Sequence, residues 1–266
     1  MVSLIRLLSA AVLLSAALAA NAAPVRIAII IDDLGNNLDL GVEAIALPGE
    51  VTYSVLPGLR FSERLAHLAH LASKEVMLHL PMQTVDSRPM GPGGLDLAMS
   101  RDEFDKVVRA GLQSVPYAVG VNNHMGSLLT RHPGAMRWLM EDLSCFNRLY
   151  FVDSRTDVRT VARRYAREAG LANAQRDVFL DNKADRGYVS GQFRRLIELA
   201  RERGSAIAIG HPYPETIAVL SEQLPRLAAE GIELVPASEL VEIVRSENLW
   251  HASSSPLPAV AKNSRQ

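Results

Sequence analysis

Cysteine is nearly absent from this 266-residue chain: Cys145 stands alone. That excludes an intramolecular disulfide and any multi-cysteine metal site. An excess of one charge is absent too. Lys and Arg number 28 against 29 Asp and Glu, a formal net charge of −1, and the two signs are mixed along the chain. A polyanion binder held by bulk charge is therefore excluded, and no nucleic-acid partner is expected. Beyond the first 23 residues there is no apolar run long enough to span a bilayer. With 17 Gly and 14 Pro there is no collagen-like repeat and no long disordered tract. What remains is a chain 48% hydrophobic and 21% charged, long enough to bury a sizeable core.

The first stretch reads as an address. Arg6 is its one charge, and the apolar run Leu7 to Ala20 falls short of the ~20 residues of a spanning helix. Ala20-Asn21-Ala22 is a small-x-small cleavage pattern. Residues 1–23 are thus expected to be a secretory signal peptide cut after Ala22 or Ala23. The mature protein is expected to be exported, with no stable membrane insertion after cleavage, and periplasmic if the source is Gram-negative. A lone thiol in an oxidising compartment should be buried, and Cys145 lies in an apolar helical stretch.

From residue 24 to about residue 247, short apolar runs alternate with amphipathic stretches. Strands are expected over Arg26–Ile31, Val51–Leu56, Glu75–Leu80, Ala118–Val121, Leu149–Val152, Val178–Leu180, Ala206–Ile209 and Glu233–Val235. Helices are expected over Leu38–Ala46, Phe61–Ser73, Arg101–Val115, Pro133–Phe146, Asp157–Ala169, Tyr188–Arg203, Pro214–Glu230 and Ala237–Glu247. Ser100 with Glu103 forms a capping-box pair. Pro133 and Pro214 suit first helical turns, and Gly170, Gly204 and Gly231 suit left-handed terminators. Such βα units predict one α/β domain with a parallel sheet, closed into a barrel or doubly wound. Thr84 to Met99 reads as a long loop, a lid or substrate wall whose glycine cluster is at best a weak phosphate cradle. Residues 248–266 read as a flexible tail.

Polar residues gather where the strands end: Asp32-Asp33, His79, Asn122-Asn123-His124, Asp153-Ser154-Arg155, Asp181-Asn182 and His211. In parallel α/β folds the C-terminal strand ends form the active face. Each residue also has a plainer reading. Asp32 and Asp33 could open a turn, His79 could be a satisfied core histidine, and Asp153 with Arg155 could form a cap and salt bridge. Asp181 and Asn182 read as structural rather than functional. Two adjacent carboxylates behind an apolar run nevertheless repel unless a cation or a proton is shared. One Asp with two His is a typical mixed donor set for Zn²⁺ or a similar divalent ion.

Five ordered segments are more specific: Ile30-Ile31-Asp32-Asp33-Leu34-Gly35, Leu78-His79-Leu80-Pro81-Met82-Gln83, Gly120 to Ser127, Val152 to Thr156 and Gly210-His211-Pro212. Together they resemble the divergent polysaccharide deacetylase family over residues 25–245. The resemblance implies a distorted (β/α) barrel of about seven to eight parallel strands with a metal-dependent de-N-acetylase site. It implies Asp32 as base, Asp33 as metal ligand and His211 as the late acid. The family's second metal histidine would fall at Gln83, so the missing ligand is expected from His124 or, more weakly, from Gln83 itself.

The expected metal set is Asp33, His79 and His124. Asn122, Asn123, Asp153, Arg155 and Gln83 are expected to contact substrate. The expected function is an exported Zn-dependent hydrolase acting on an N-acetylated sugar or a peptidoglycan-like envelope amide. The alternative is an inactive envelope carbohydrate-binding or scaffold protein. A weaker option is a metal-free glycosidase using Asp153 and Asp181.

Overall fold

The computed structural model describes residues 24–146 and 148–241. The expected signal peptide, the end of the last expected helix and the tail lie outside the described residues. All strands run parallel, in the order β6-β5-β4-β3-β2-β1-β8-β7, with β9 beside β1. They are β1 (Val25–Leu34), β2 (Thr52–Val55), β3 (Glu75–Met82), β4 (Ala118–Met125), β5 (Tyr150–Asp153), β6 (Ala172–Gln175), β7 (Val178–Phe179), β8 (Ser205–Gly210) and β9 (Ile232–Leu234). Helices α1 (Leu38–Ile45), α2 (Ser62–Leu71), α3 (Arg101–Ser114), α4 (Pro133–Ser144), α5 (Ala162–Glu168), α6 (Arg186–Arg203) and α7 (Pro214–Gln223) connect them. This is the curled (β/α) barrel that the alternation and the resemblance led us to expect.

Strand β1 shows why the barrel forms. Ile27 to Ile31 are all fully buried, since a strand covered on both faces needs an unbroken apolar run. Ile27, Ile29 and Ile31 pack outward with Leu65, Phe104 and Phe193 of the helices. Ala28 and Ile30 point inward and join Met77, Val152, Ile207 and Ile209. Val235, Ala237, Leu240 and Val241 belong to the same inner cluster and plug the barrel at the end where its strands begin. Inward parity thus runs through the even residues of β1 and the odd residues of β3 and β8, and it decides what reaches the other end.

Local signals hold at most termini. Ser100 and Glu103 form the capping box, Pro133 and Pro214 open their helices, and Gly170, Gly204 and Gly231 have φ of 69°, 84° and 71°. Three expectations fail. Strand β6, Ala-Asn-Ala-Gln, went unseen because it holds no β-branched residue. The helix expected from Asp157 begins only at Ala162, because Asp157 accepts from Arg159 N at 2.8 Å and makes a turn. Cys145 is exposed. It sits at the C-cap of α4, two residues past the end of the buried stripe Met136, Leu139, Met140 and Leu143.

Gly120 sits on β4 where a Cβ would strike the ring of Tyr150. Replacing Gly120 with Ala should lower stability by about 1–3 kcal/mol, the usual cost of overpacking. Urea denaturation reads this, and an unchanged midpoint would show that the ring moves freely.

Candidate metal centre and active site

Continuing the inward parity to the C-terminal strand ends delivers Asp32 from β1, His79 from β3, Asn122 and His124 from β4, and His211 just after β8. Asp33 would alternate outward, but its φ is 62° and the register with β2 shifts between Ile31 and Leu34. This left-handed step, which Asp tolerates better than most residues, turns both carboxylates toward one cavity. Met125 and Arg155, at φ of 55° and 49°, break from strand geometry around the same cavity. Residues held in such conformations at a cavity rim are consistent with a functional site.

Asp33 Oδ1 lies 3.2 Å from His79 Nε2 and 2.9 Å from His124 Nδ1. The two ring nitrogens are 3.1 Å apart. All three donor atoms fall within 4.8 Å of one another, and Asp33 Oδ1 is buried without a hydrogen-bond partner among the described residues. Three electron-pair donors facing one another need a cation or protons between them, so the residues fit a divalent ion.

Asn122 sets the chemistry of this group. Its Nδ2 donates to Asp32 Oδ1 at 2.8 Å, so its Oδ1 must face the other way, where Ser54 Oγ donates at 2.6 Å. His79 Nδ1 lies 2.7 Å from that same oxygen and must therefore be its donor. His79 Nε2 is left to face Asp33 and His124, the tautomer a metal ligand requires. Burial lowers the His79 pKa, but Asp32 and Asp33 outweigh it and hold it above the ordinary value.

Asp32 is almost fully buried, and burial raises its pKa despite the opposing pull of His79, His211 and the Asn122 hydrogen bond. Burial also works to raise Asp33, but the His124 and His79 rings set against its carboxylate reverse it, keeping Asp33 ionised far below the usual carboxylate range. His211 Nδ1 lies 2.9 Å from Asp181 Oδ1, and Asp181 Oδ2 accepts from His211 N and Thr216 Oγ1 at 2.6 and 2.7 Å. The His211 Nε2 edge then faces the cavity, 3.7 Å from Asp33 Oδ2. Burial alone would lower the His211 pKa, yet Asp181, with Asp33 and Asp32 beyond it, lifts it to about 9.

Three expected substrate contacts, Asn122, Asp153 and Gln83, are corrected. Asn122 is fully buried and spends its amide on Asp32, His79 and Ser54. Asn123 lines the cavity as expected, with its amide bonded to Met125 O and Ser154 N. Asp153 has outward parity; it accepts from Arg155 N and Thr160 Oγ1 and does not line the cavity. Gln83 is neither ligand nor substrate contact. Its Oε1 accepts from Leu97 N at 3.0 Å and pins the long loop. Arg155 does line the cavity. The glycosidase option falls with Asp153 and Asp181, whose oxygens are taken up in these bonds. In the glycine cluster of the loop, Gly93 packs against Pro57.

Sequence reasoning missed Ser54, Arg176 and the orienting role of Asp181. Asp181 was visible as a strand-end carboxylate, but its partnership with His211 joins elements 30 residues apart.

A curled barrel of parallel strands with helices between them defines the polysaccharide deacetylase class of fold. The sequence profile of the divergent polysaccharide deacetylase family matches residues 29–241, and the chain belongs to that family. It is 40% identical over 233 residues to an uncharacterized protein of Escherichia coli K12, YibQ, covering 86% of this chain and 72% of that one. An uncharacterized protein of Agrobacterium tumefaciens shares the fold with a TM-score of 0.78 at 24% identity, over 83% of this chain and 91% of that one. A CE4 family pseudoenzyme of Bacillus anthracis superposes at 0.52 with 14% identity, over 82% and 66%. A peptidoglycan deacetylase of Bacillus subtilis superposes at 0.50 with 13% identity, over 86% and 96%. These three structural likenesses concern the fold alone.

Should the bonded pair govern the acid, Asp181→Asn will lower the His211 pKa, because a carboxylate that favoured the imidazolium is gone. The alkaline limb of any pH–rate profile should then move to lower pH by about one unit or more. An unmoved limb would assign that limb to another group.

Proposed function

We propose that the protein is a metal-dependent hydrolase that removes acetyl groups from an N-acetylated envelope sugar or cleaves a related amide. The observation that carries this reading is the convergence of Asp33 Oδ1, His79 Nε2 and His124 Nδ1 within 4.8 Å, with Asp32 and His211 beside them. When bound there, a divalent ion such as Zn²⁺ polarises a carbonyl and lowers the pKa of water. Asp32 accepts the proton of the attacking water; burial makes it a stronger base than a surface carboxylate. Asn122 keeps that carboxylate aimed. As the C–N bond breaks, His211 delivers its Nε2 proton to the leaving amine, and Asp181 stabilises the imidazolium that carries it. Water oxygen ends on the acyl carbon, giving a carboxylic acid and a free amine.

Elemental analysis of the purified mature protein, with acetate release from N-acetylated glycans and peptidoglycan fragments, tests the proposal. Stoichiometric metal and acetate are expected; a protein that neither contains nor takes up a divalent ion would overturn it. A second reading is a carbohydrate-binding or scaffold protein that keeps the pocket without turnover. It is favoured by Gln83, which stands at the position of the family's second histidine and holds a loop instead. Metal uptake and glycan binding with no acetate release would decide for it.

Export to the periplasm completes the proposal, supported by Arg6, the Leu7–Ala20 run and the Ala20-Asn21-Ala22 end. Among the described residues no helix is long and apolar enough to cross a membrane. Mass spectrometry of periplasmic protein should find a start between Ala22 and Pro24. Intact Met1 on cytosolic protein would remove export from the proposal.

A further inference from the structure

We propose that the cavity takes an acidic N-acyl sugar, one whose anionic group, carboxylate or phosphate, docks on Arg155 and Arg176. Both arginines line the cavity with the metal donors. Neither forms an ion pair among the described residues, although nearly every other charged group around the site does. Arg155 is held at φ 49°, with its backbone N fixed on Asp153 Oδ1 at 2.8 Å. Its guanidinium has no hydrogen-bond partner among the described residues.

Arg176 is built in more firmly. Its Nε and Nη2 donate to Ser154 O and Arg155 O at 2.7 and 3.0 Å, and its Cζ lies 4.9 Å over the Phe179 ring. Nη1 remains for a ligand. Burial, with the like charge of Arg155, opposes its ionisation, while Asp153, Asp32 and Asp177 favour it. A desolvated guanidinium without a carboxylate in contact is costly unless an anion arrives. The cavity's carboxylates, Asp32, Asp33 and Asp86, are matched in number by Arg88, Arg155 and Arg176. A divalent ion on Asp33 would therefore leave the cavity cationic.

Phe179 places this anion site. Its ring stands edge-on to His211 with centroids 5.4 Å apart and stacks under Arg176. A group on Arg176 is thus on the His211 side. This assignment rests on the hydrolase reading, in which His211 serves the leaving amine: the anionic substituent then belongs to the sugar that keeps the nitrogen, not to the acyl group.

Calorimetric binding of N-acetylmuramic acid, N-acetylglucosamine 6-phosphate and neutral N-acetylglucosamine tests this, on full-length mature protein both Zn-loaded and chelator-treated. An acidic sugar should bind about tenfold or more tightly than the neutral one in both forms, and the tighter of the two identifies the anion. Arg155→Gln should erase the preference and Arg155→Lys should restore most of it; both variants keep the Arg176 bonds that hold the backbone. Equal binding of charged and neutral sugars by the wild type, or a preference that survives Arg155→Gln, overturns the proposal. Binding is read without turnover, so absent acetate release would count against the hydrolase reading and leave this one standing.

Discussion

Zn²⁺ added to chelator-stripped mature protein should raise its melting temperature by about 5–10 °C. At a hundredfold excess over Kd, mass action supplies roughly 2.7 kcal/mol, and a domain of this size gains about 2–4 °C per kcal/mol. The gain is confined to the folded state, because Asp33, His79 and His124 come from three separate strand ends. Asp33→Ala and His124→Ala should each lose most of the shift, whereas Arg155→Gln should keep it. The shift should also shrink as pH falls. Asp32 and Asp33 hold the His79 pKa above its ordinary value, so as pH falls the proton begins to compete with the ion for Nε2 already above the ordinary histidine range. Differential scanning fluorimetry across pH reads all of this. A shift of the same size in wild type, Asp33→Ala and His124→Ala would dissolve the metal assignment.

Asp32→Asn should leave that metal response intact while acetate release falls by about 10²–10⁴, the usual worth of a general base. The amide keeps the carboxylate's shape but cannot take a proton, and Asp32 is absent from the tight donor triad. Asp33→Asn should lose metal and activity together. Because Asn122 Nδ2 faces Asp32, the new amide can turn its oxygen to that donor, so folding should survive. Steady-state kinetics with a metal titration separates the outcomes. Were Asp32→Asn to strip the metal and Asp33→Asn to keep both, the two roles would be exchanged.

Much of this site could be read from the chain because two rules reinforce each other. Apolar runs announced the strands, and parallel topology sends their C-terminal ends to one face, so Asp32, His79, His124 and His211 were found together. Parity was the information left unused. Phe151 packs outward in β5 and Val152 inward, so Asp153 had to face away from the cavity and Ser154 toward it. The same count sends Asn122 inward. Its burial beneath the histidines, where it serves them rather than substrate, depends on Ser54 from another strand, and no local pattern shows that contact. Gln83 shares the inward count of His79, but β3 ends at Met82, so loop bonds rather than alternation decide its direction. Strand β6 was hidden because its pairing with β5, not its composition, makes it a strand.

The barrel is stitched shut by covalent bonds, not by a ladder. Strands β6 and β7 lie at opposite ends of the hydrogen-bonded order, yet only Arg176 and Asp177 separate them in the chain. Those two residues grip both margins: Arg176 N donates to Asp153 O and Asp177 N to Ile207 O, each at 2.9 Å. A sheet with such a seam breathes most easily along it, since no interstrand bonds must break for the margins to part. Arg176 also forms one wall of the cavity. Widening the seam and widening the mouth of the cavity are therefore the same movement, and a bulky chain entering there works against a dipeptide clasp instead of a rigid cylinder.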